Sequence, residues 1–148
     1  MIEVVVATQE HAAAMAPVMR QEDAEEVVAL GMSPIEALSY SLAASRIAHT
    51  ALIDGKPAAM WGACPESLLG EKALLWMLGT DHVPRNAKAL LRMSRAFVAH
   101  IQAQYPILEC FVDMRYHAAV RWVAWLGFEH AGTATINGMP FVAYQRKR

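Results

Sequence analysis

Ala118-Ala119-Val120-Arg121-Trp122-Val123-Ala124-Trp125-Leu126-Gly127-Phe128-Glu129 is the stretch that decides how the chain is read. Val120, Val123, Ala124 and Gly127 fall at helical spacing, so one face is apolar. Gly127 stands where a left-handed cap ends a helix. The spacing predicts a short helix over residues 119–126, stopped by glycine and followed at once by a strand. Upstream, residues 107–112 form an apolar run behind Pro106 and read as another strand.

Working outward, residues 2–7 are β-branched and read as a first strand. Thr8 is a good N-cap for a helix over 9–20, with Glu10 in its first turn, where a negative charge suits the helix dipole. Residues 22–30 continue helically and stop at Gly31. Ser33-Pro34-Ile35-Glu36 is a capping box with proline at the first helical position, opening a helix to about Ser45. The period then changes. Residues 46–53 and 57–64 flank Asp54-Gly55, a pair that accepts the positive φ angles of a tight hairpin. Residues 72–78 read as a further strand. Residues 85–104 carry Leu90, Leu91, Phe97, Val98 and Ile101 on one side and cannot continue past Pro106. Asn137-Gly138 closes a last hairpin between 128–136 and 139–145.

This order, strand, two or three helices, three strands, helix, strand, helix, two strands, with Leu126-Gly127-Phe128 after the last helix, resembles the GCN5-related N-acetyltransferase (GNAT) superfamily. The resemblance covers nearly all of residues 1–148. It implies a single α/β (α+β) domain with a mixed central sheet of about seven strands and helices on both faces. It also implies acetyl-CoA as acyl donor, bound where the fourth and fifth strands splay apart, and acetyl transfer to an amine. Residues 72–78 and 107–112 should then lie parallel, because a helix of crossover length joins them.

Two motifs depart from that pattern. Where the family carries glycines for close approach of the backbone to a pyrophosphate, this chain has His82-Val83-Pro84-Arg85-Asn86-Ala87-Lys88. Arg85 replaces the first glycine and Ala87 the second. The N–H groups of Asn86, Ala87 and Lys88 at a helix start remain suited to an anion, and Arg85 and Lys88 add charge. An ordinary helix start with solvated basic residues fits equally. In the last helix, Val123 stands where the family's acid tyrosine is expected, and valine has no proton to give. Tyr116 is the hydroxyl nearest by sequence, one to two turns away. Asp81, His82 and Glu109 are the candidate bases by position. Glu109 interrupts an apolar strand; alternation that turns it toward solvent is the plainer explanation, and catalysis the second. His49 reads as a hydrogen-bonded structural residue.

These departures leave a second reading open: a binding or assembly protein that keeps the fold without the catalysis. A narrower resemblance, to acetyltransferase-like internal virion proteins of short-tailed phages, points the same way.

Composition sets the remaining bounds. At 148 residues, the chain is long enough to bury roughly two-thirds of its unfolded surface in one core. Hydrophobic residues make up 55% and charged residues 18%, with nine Met and four Trp. That is apolar for one domain, and Trp122 and Trp125, three apart on a short helix, suggest a surface covered by a protein partner or a second copy. The net charge of −1 gives no footprint for nucleic acid. There is no C-x-x-C and no histidine pair four apart, so no metal site is expected. Cys64 and Cys110 fit two buried thiols in a reducing compartment. No signal peptide or membrane span is read, and a cytoplasmic protein is expected (host cytoplasm or virion if phage-encoded).

Overall fold

The computed structural model describes residues 1–148. Its strands are β1 (Ile2–Val6), β2 (Ile47–Ile53), β3 (Lys56–Pro65), β4 (Lys72–Gly79), β5 (Ile107–Asp113), β6 (Glu129–Ile136) and β7 (Met139–Lys147). Its α-helices are α1 (Gln9–Met15), α2 (Gln21–Ala29), α3 (Pro34–Ala44), α4 (Ala87–Gln102) and α5 (His117–Trp125). All seven strands join one sheet in the order β1-β2-β3-β4-β5-β7-β6. Only β4 and β5 pair in parallel; their other neighbours are antiparallel.

Local chemistry fixes most element ends. The Ser33 hydroxyl accepts from Glu36 N–H while Glu36 accepts from Ser33 N–H, which starts α3. At the other end of the chain, Gly127 has φ +92°, Gly127 N–H bonds Ala124 C=O and Phe128 N–H bonds Val123 C=O. Those two bonds form a Schellman cap, and buried Phe128 and Val123 close it with an apolar contact. The helix expected over 9–20 is shorter. Pro17 stops α1 at Met15, and a single 3₁₀ turn (Ala16–Val18) follows. The helix after β4 likewise begins as a 3₁₀ turn (Pro84–Asn86) before α4.

Two apolar layers flank the sheet. On one face, Leu90, Val98 and Ile101 of α4 and Val123 of α5 pack on Ala51, Ala59, Ala63, Ala73, Leu108 and Val112. On the other, Met15, Val27 and Leu38 from α1, α2 and α3 pack on Met60 and Leu78. Much of the sheet surface is alanine, which brings the helices close to it. Large apolar side chains also remain exposed, among them Leu68, Leu69, Val28 and Trp125. Cys110 is buried and Cys64 half-buried, both as free thiols. No single helix is long and apolar enough to cross a membrane.

Candidate active site

The parallel pairing of β4 and β5 is short. Lys72, Ala73 and Leu74 pair with Ile107, Leu108 and Glu109, and there it ends. Beyond Leu74, β4 stays in continuous register with β3 as far as Gly79, while β5 follows β7 as far as Asp113. The two strands therefore part from one common end and leave a wedge between them.

At the closed end, Glu109 lies in an ion pair with Lys72 (3.0 Å), and its other oxygen accepts from Gln145 Nε2 (2.7 Å). Its side chain is 13% exposed, so it is not turned out to solvent, and both its oxygens are already engaged. The pair explains the lone acid in an apolar strand: it ties β4, β5 and β7 together where they converge. The same contact raises the pKa of Lys72.

At the open end, α2 bridges the strands. Asp23 accepts from Gly79 N–H at the tip of β4 (2.7 Å), and Arg20 N–H donates to Gly79 C=O (2.9 Å). Arg20 also donates to Asp23 (2.9 Å). Burial pushes the Asp23 carboxyl above the usual range, and Arg20 pulls it part of the way back. A side chain on Gly79 would meet Val83 at 2.9 Å, which is why the strand tip has none. From the same helix, Glu25 accepts from Tyr116 Oη (2.7 Å) at the start of α5. Asp113, fully buried at the tip of β5, is gripped by Arg115 through both carboxylate oxygens, which lowers its pKa.

Glu26, one helical turn beyond Asp23, is the exception among these acids: its side chain has neither a hydrogen bond nor an ion pair. Burial, then the charges of Asp23 and Asp113, push its carboxyl up to about 7. Residues 22–30 read in sequence only as a helix ending at Gly31, which singles out neither Asp23 nor Glu26. The one available signal is two acids, Asp23 and Glu26, on the helical side that also carries Val27, which belongs to the core.

The structure places the expected residues unevenly. Tyr116 stands at the wedge mouth, where loss of solvation and then its hydrogen bond to Glu25 push its pKa up to about 12. Its hydroxyl ties the start of α5 to α2. His82 lies in the turn beyond β4, its N–H bonded to Thr80 Oγ1 and its carbonyl accepting from Asn86 Nδ2. Glu109 lies on β5 beside Leu74 near the start of β4, and His82 in the turn past the other end of β4, so the structure does not bring the two together. Asp81 is exposed in the same turn. His49 is half-buried and stacks on Trp61 of β3, whose ring lies tilted against Phe97 at 4.4 Å; burial lowers the His49 pKa.

At the start of α4, Arg85 and Lys88 are exposed, Asn86 and Ala87 half-buried, and no side chain caps the helix. Asn86 N–H is already bonded to Val83 C=O. The groups left at this helix start that suit an anion are the first-turn amides of α4 and the two cations. On α5, Trp122 is half-buried and donates to Ser94 of α4 (3.3 Å). Trp125 is 44% exposed, with the Arg95 guanidinium over its ring at 3.8 Å.

Similarity to solved structures extends over the whole chain. An aminoglycoside 6'-acetyltransferase type Ii superposes with a TM-score of 0.75 at 16% identity, covering 98% of this chain and 96% of that one. An acetyltransferase of the GNAT family from Streptococcus pneumoniae gives 0.65 at 16% identity over 100% of both chains. The aminoglycoside acetyltransferase AAC(6')-Ib in complex with coenzyme A gives 0.71 at 17%, covering 100% and 95%. The fold of this chain is that of GNAT acetyltransferases. No family model and no curated protein matches its sequence. The narrower resemblance to phage virion proteins finds no support in these comparisons.

Proposed function

We propose that the chain is an acetyl-CoA-dependent N-acetyltransferase. The observation that carries this reading is the wedge: β4 and β5 pair over three residues and then part, which frees one edge of β4 inside the fold. Edge groups of a strand alternate in direction. Gly79 N–H and C=O point into the wedge, where Asp23 and Arg20 take them. Met77, two residues back, presents its N–H the same way, and that N–H is placed to polarise a thioester carbonyl and to hold the oxyanion that forms on attack. The pyrophosphate of the donor would rest on the start of α4, with Arg85 and Lys88 supplying charge in place of the missing glycine. That a solved acetyltransferase of the same fold is in complex with coenzyme A supports an acyl-CoA as the donor.

Calorimetric titration with acetyl-CoA tests this. The wild-type chain should bind it, and an Arg85→Glu, Lys88→Glu double variant should bind at least tenfold more weakly. Absence of binding at millimolar acetyl-CoA would sink the reading and leave a protein that uses this fold without its cofactor.

A further inference from the structure

We infer that Glu26 is the group that takes the proton from the incoming amine, an assignment that rests on acetyl transfer taking place in the wedge. Three observations converge on it. First, α2 runs across the wedge mouth: Asp23 and Arg20 fix it to the tip of β4, and Glu25 fixes it to Tyr116 beyond the tip of β5. Glu26 follows Asp23 by three residues, on adjoining helical surface, and so is carried between the two tips. Second, its neighbours are committed. Asp23 serves Gly79 and Arg20, Asp113 serves Arg115, and Glu25 serves Tyr116 and Gln21. Glu26 alone keeps all its acceptor capacity. Third, the charged groups that act on it are Asp23 on its own helix, Arg20 just before that helix and Asp113 on β5. The two acids disfavour its ionisation, burial does so more strongly, and Arg20 offsets only part. A carboxylate titrating near neutrality is matched to drawing a proton from an ammonium ion at physiological pH.

In the step this implies, the acceptor enters as R–NH3⁺ and gives one proton to ionised Glu26, leaving R–NH2. The nitrogen lone pair attacks the thioester carbon, and the C–N bond forms. As the C–S bond breaks, the sulfur leaves with its electron pair and takes the second proton lost by the nitrogen. Glu26 returns its proton to solvent. The products are the amide, the free thiol and one proton. Tyr116 is not needed as an acid.

The test uses the full chain, 1,4-diaminobutane as the amine probe and acetyl-CoA as donor. With ¹³C-labelled glutamate, and Glu26 assigned from the Glu26→Gln variant, the Glu26 carboxyl should titrate near neutrality. Its titration should move to lower pH as the diamine is added. Glu26→Gln should still bind acetyl-CoA like wild type, lose about a hundredfold or more in kcat/KM for thiol release, and lose the rising limb of the wild-type pH profile near pH 7. An ordinary carboxylate titration overturns the assignment, as does a Glu26 signal unmoved by saturating diamine, or a diamine that binds and is never acetylated. An unchanged kcat/KM in the variant does so too. If wild type fails to bind acetyl-CoA, it is acetyl transfer itself that falls, and calorimetry separates that outcome from the others.

Discussion

The two ends of the β4–β5 pair hold the same kinds of residue and do opposite things with them. At the closed end, Lys72, Glu109 and Gln145 satisfy one another across three strands, and backbone pairing is complete. At the open end, the Arg20 backbone N–H and the side chains of Arg20, Asp23, Arg115, Asp113, Glu25 and Tyr116 make the contacts where β4 and β5 no longer pair, and Glu26 is left over. An acid with a cation and an amide at hand is cross-linking material. An acid placed among other acids, half out of water, stores a free-energy difference between its two protonation states. Position relative to the strand split, more than residue type, separates glue from chemistry.

Removing the acid that plugs the open end should have the largest effect. Asp23→Ala leaves Gly79 N–H and the Arg20 guanidinium without their buried acceptor. We expect a loss of roughly 3 kcal/mol, as for breaking a buried ion pair, read from urea denaturation at pH 7. A loss below about 1 kcal/mol would mean that water replaces Asp23, and that the open end is not closed by α2.

The unpartnered acid should behave in the opposite sense. Glu26 is raised from its ordinary value to about 7 in the folded chain, so between pH 4.5 and 7 the native state keeps a proton that the unfolded chain has lost. Stability of the wild type therefore falls as pH rises through that window. Glu26→Gln removes the penalty, and we expect it to be roughly 2–3 kcal/mol more stable than wild type at pH 8 and nearly equal at pH 4. A gain at pH 8 with a loss of turnover is the signature of a group kept for function; a loss of stability at pH 8 would place Glu26 with the structural acids.

What the sequence made legible was local or periodic. Gly127-Phe128 announces its Schellman cap, Ser33 to Glu36 its capping box, and Asn137-Gly138 its hairpin, because each is decided within six residues. The parallel pairing followed from the crossover length of residues 85–104. Pro17 was equally visible as the end of α1, yet the helix was carried past it to residue 20. The acids of the open end were not legible, since Asp23 meets Gly79 across 56 residues and Glu25 meets Tyr116 across 91. Glu109 drew attention by interrupting an apolar strand, a real anomaly whose cause was Lys72 and Gln145 on neighbouring strands. Within a helix, an acid that faces a strand tip and one that faces water look alike.

The closed end should be the less sensitive of the two. Lys72 is 29% exposed, so its bond to Glu109 is partly screened by solvent. Glu109→Ala should cost about 1 kcal/mol or less at low salt, and most of that difference should vanish by about 0.5 M salt, where the Debye length falls to a few ångströms. A salt-independent loss as large as that of Asp23→Ala would erase the distinction between the ends.

The smallest expected effect is also the most local. Tyr116→Phe removes only the hydroxyl that ties α2 to the start of α5, an exposed bond to a carboxylate that we expect to contribute less to global stability than the buried bonds of Asp23. The apolar packing of Val27 holds α2 to the sheet without it. What the bond restrains is opening of the helix over the wedge, a low-energy fluctuation that hydrogen exchange reads directly. We expect amides in Gln21–Ala29 to exchange faster in Tyr116→Phe, those in Lys72–Gly79 and Ile107–Asp113 to stay as they are, and the melting temperature to hold. Turnover should survive, because in the assigned step the departing sulfur takes its proton from the attacking nitrogen and not from Tyr116. If instead turnover collapses while exchange in α2 is unchanged, Tyr116 is a proton donor after all, and the open end holds two chemical groups where the geometry assigns one.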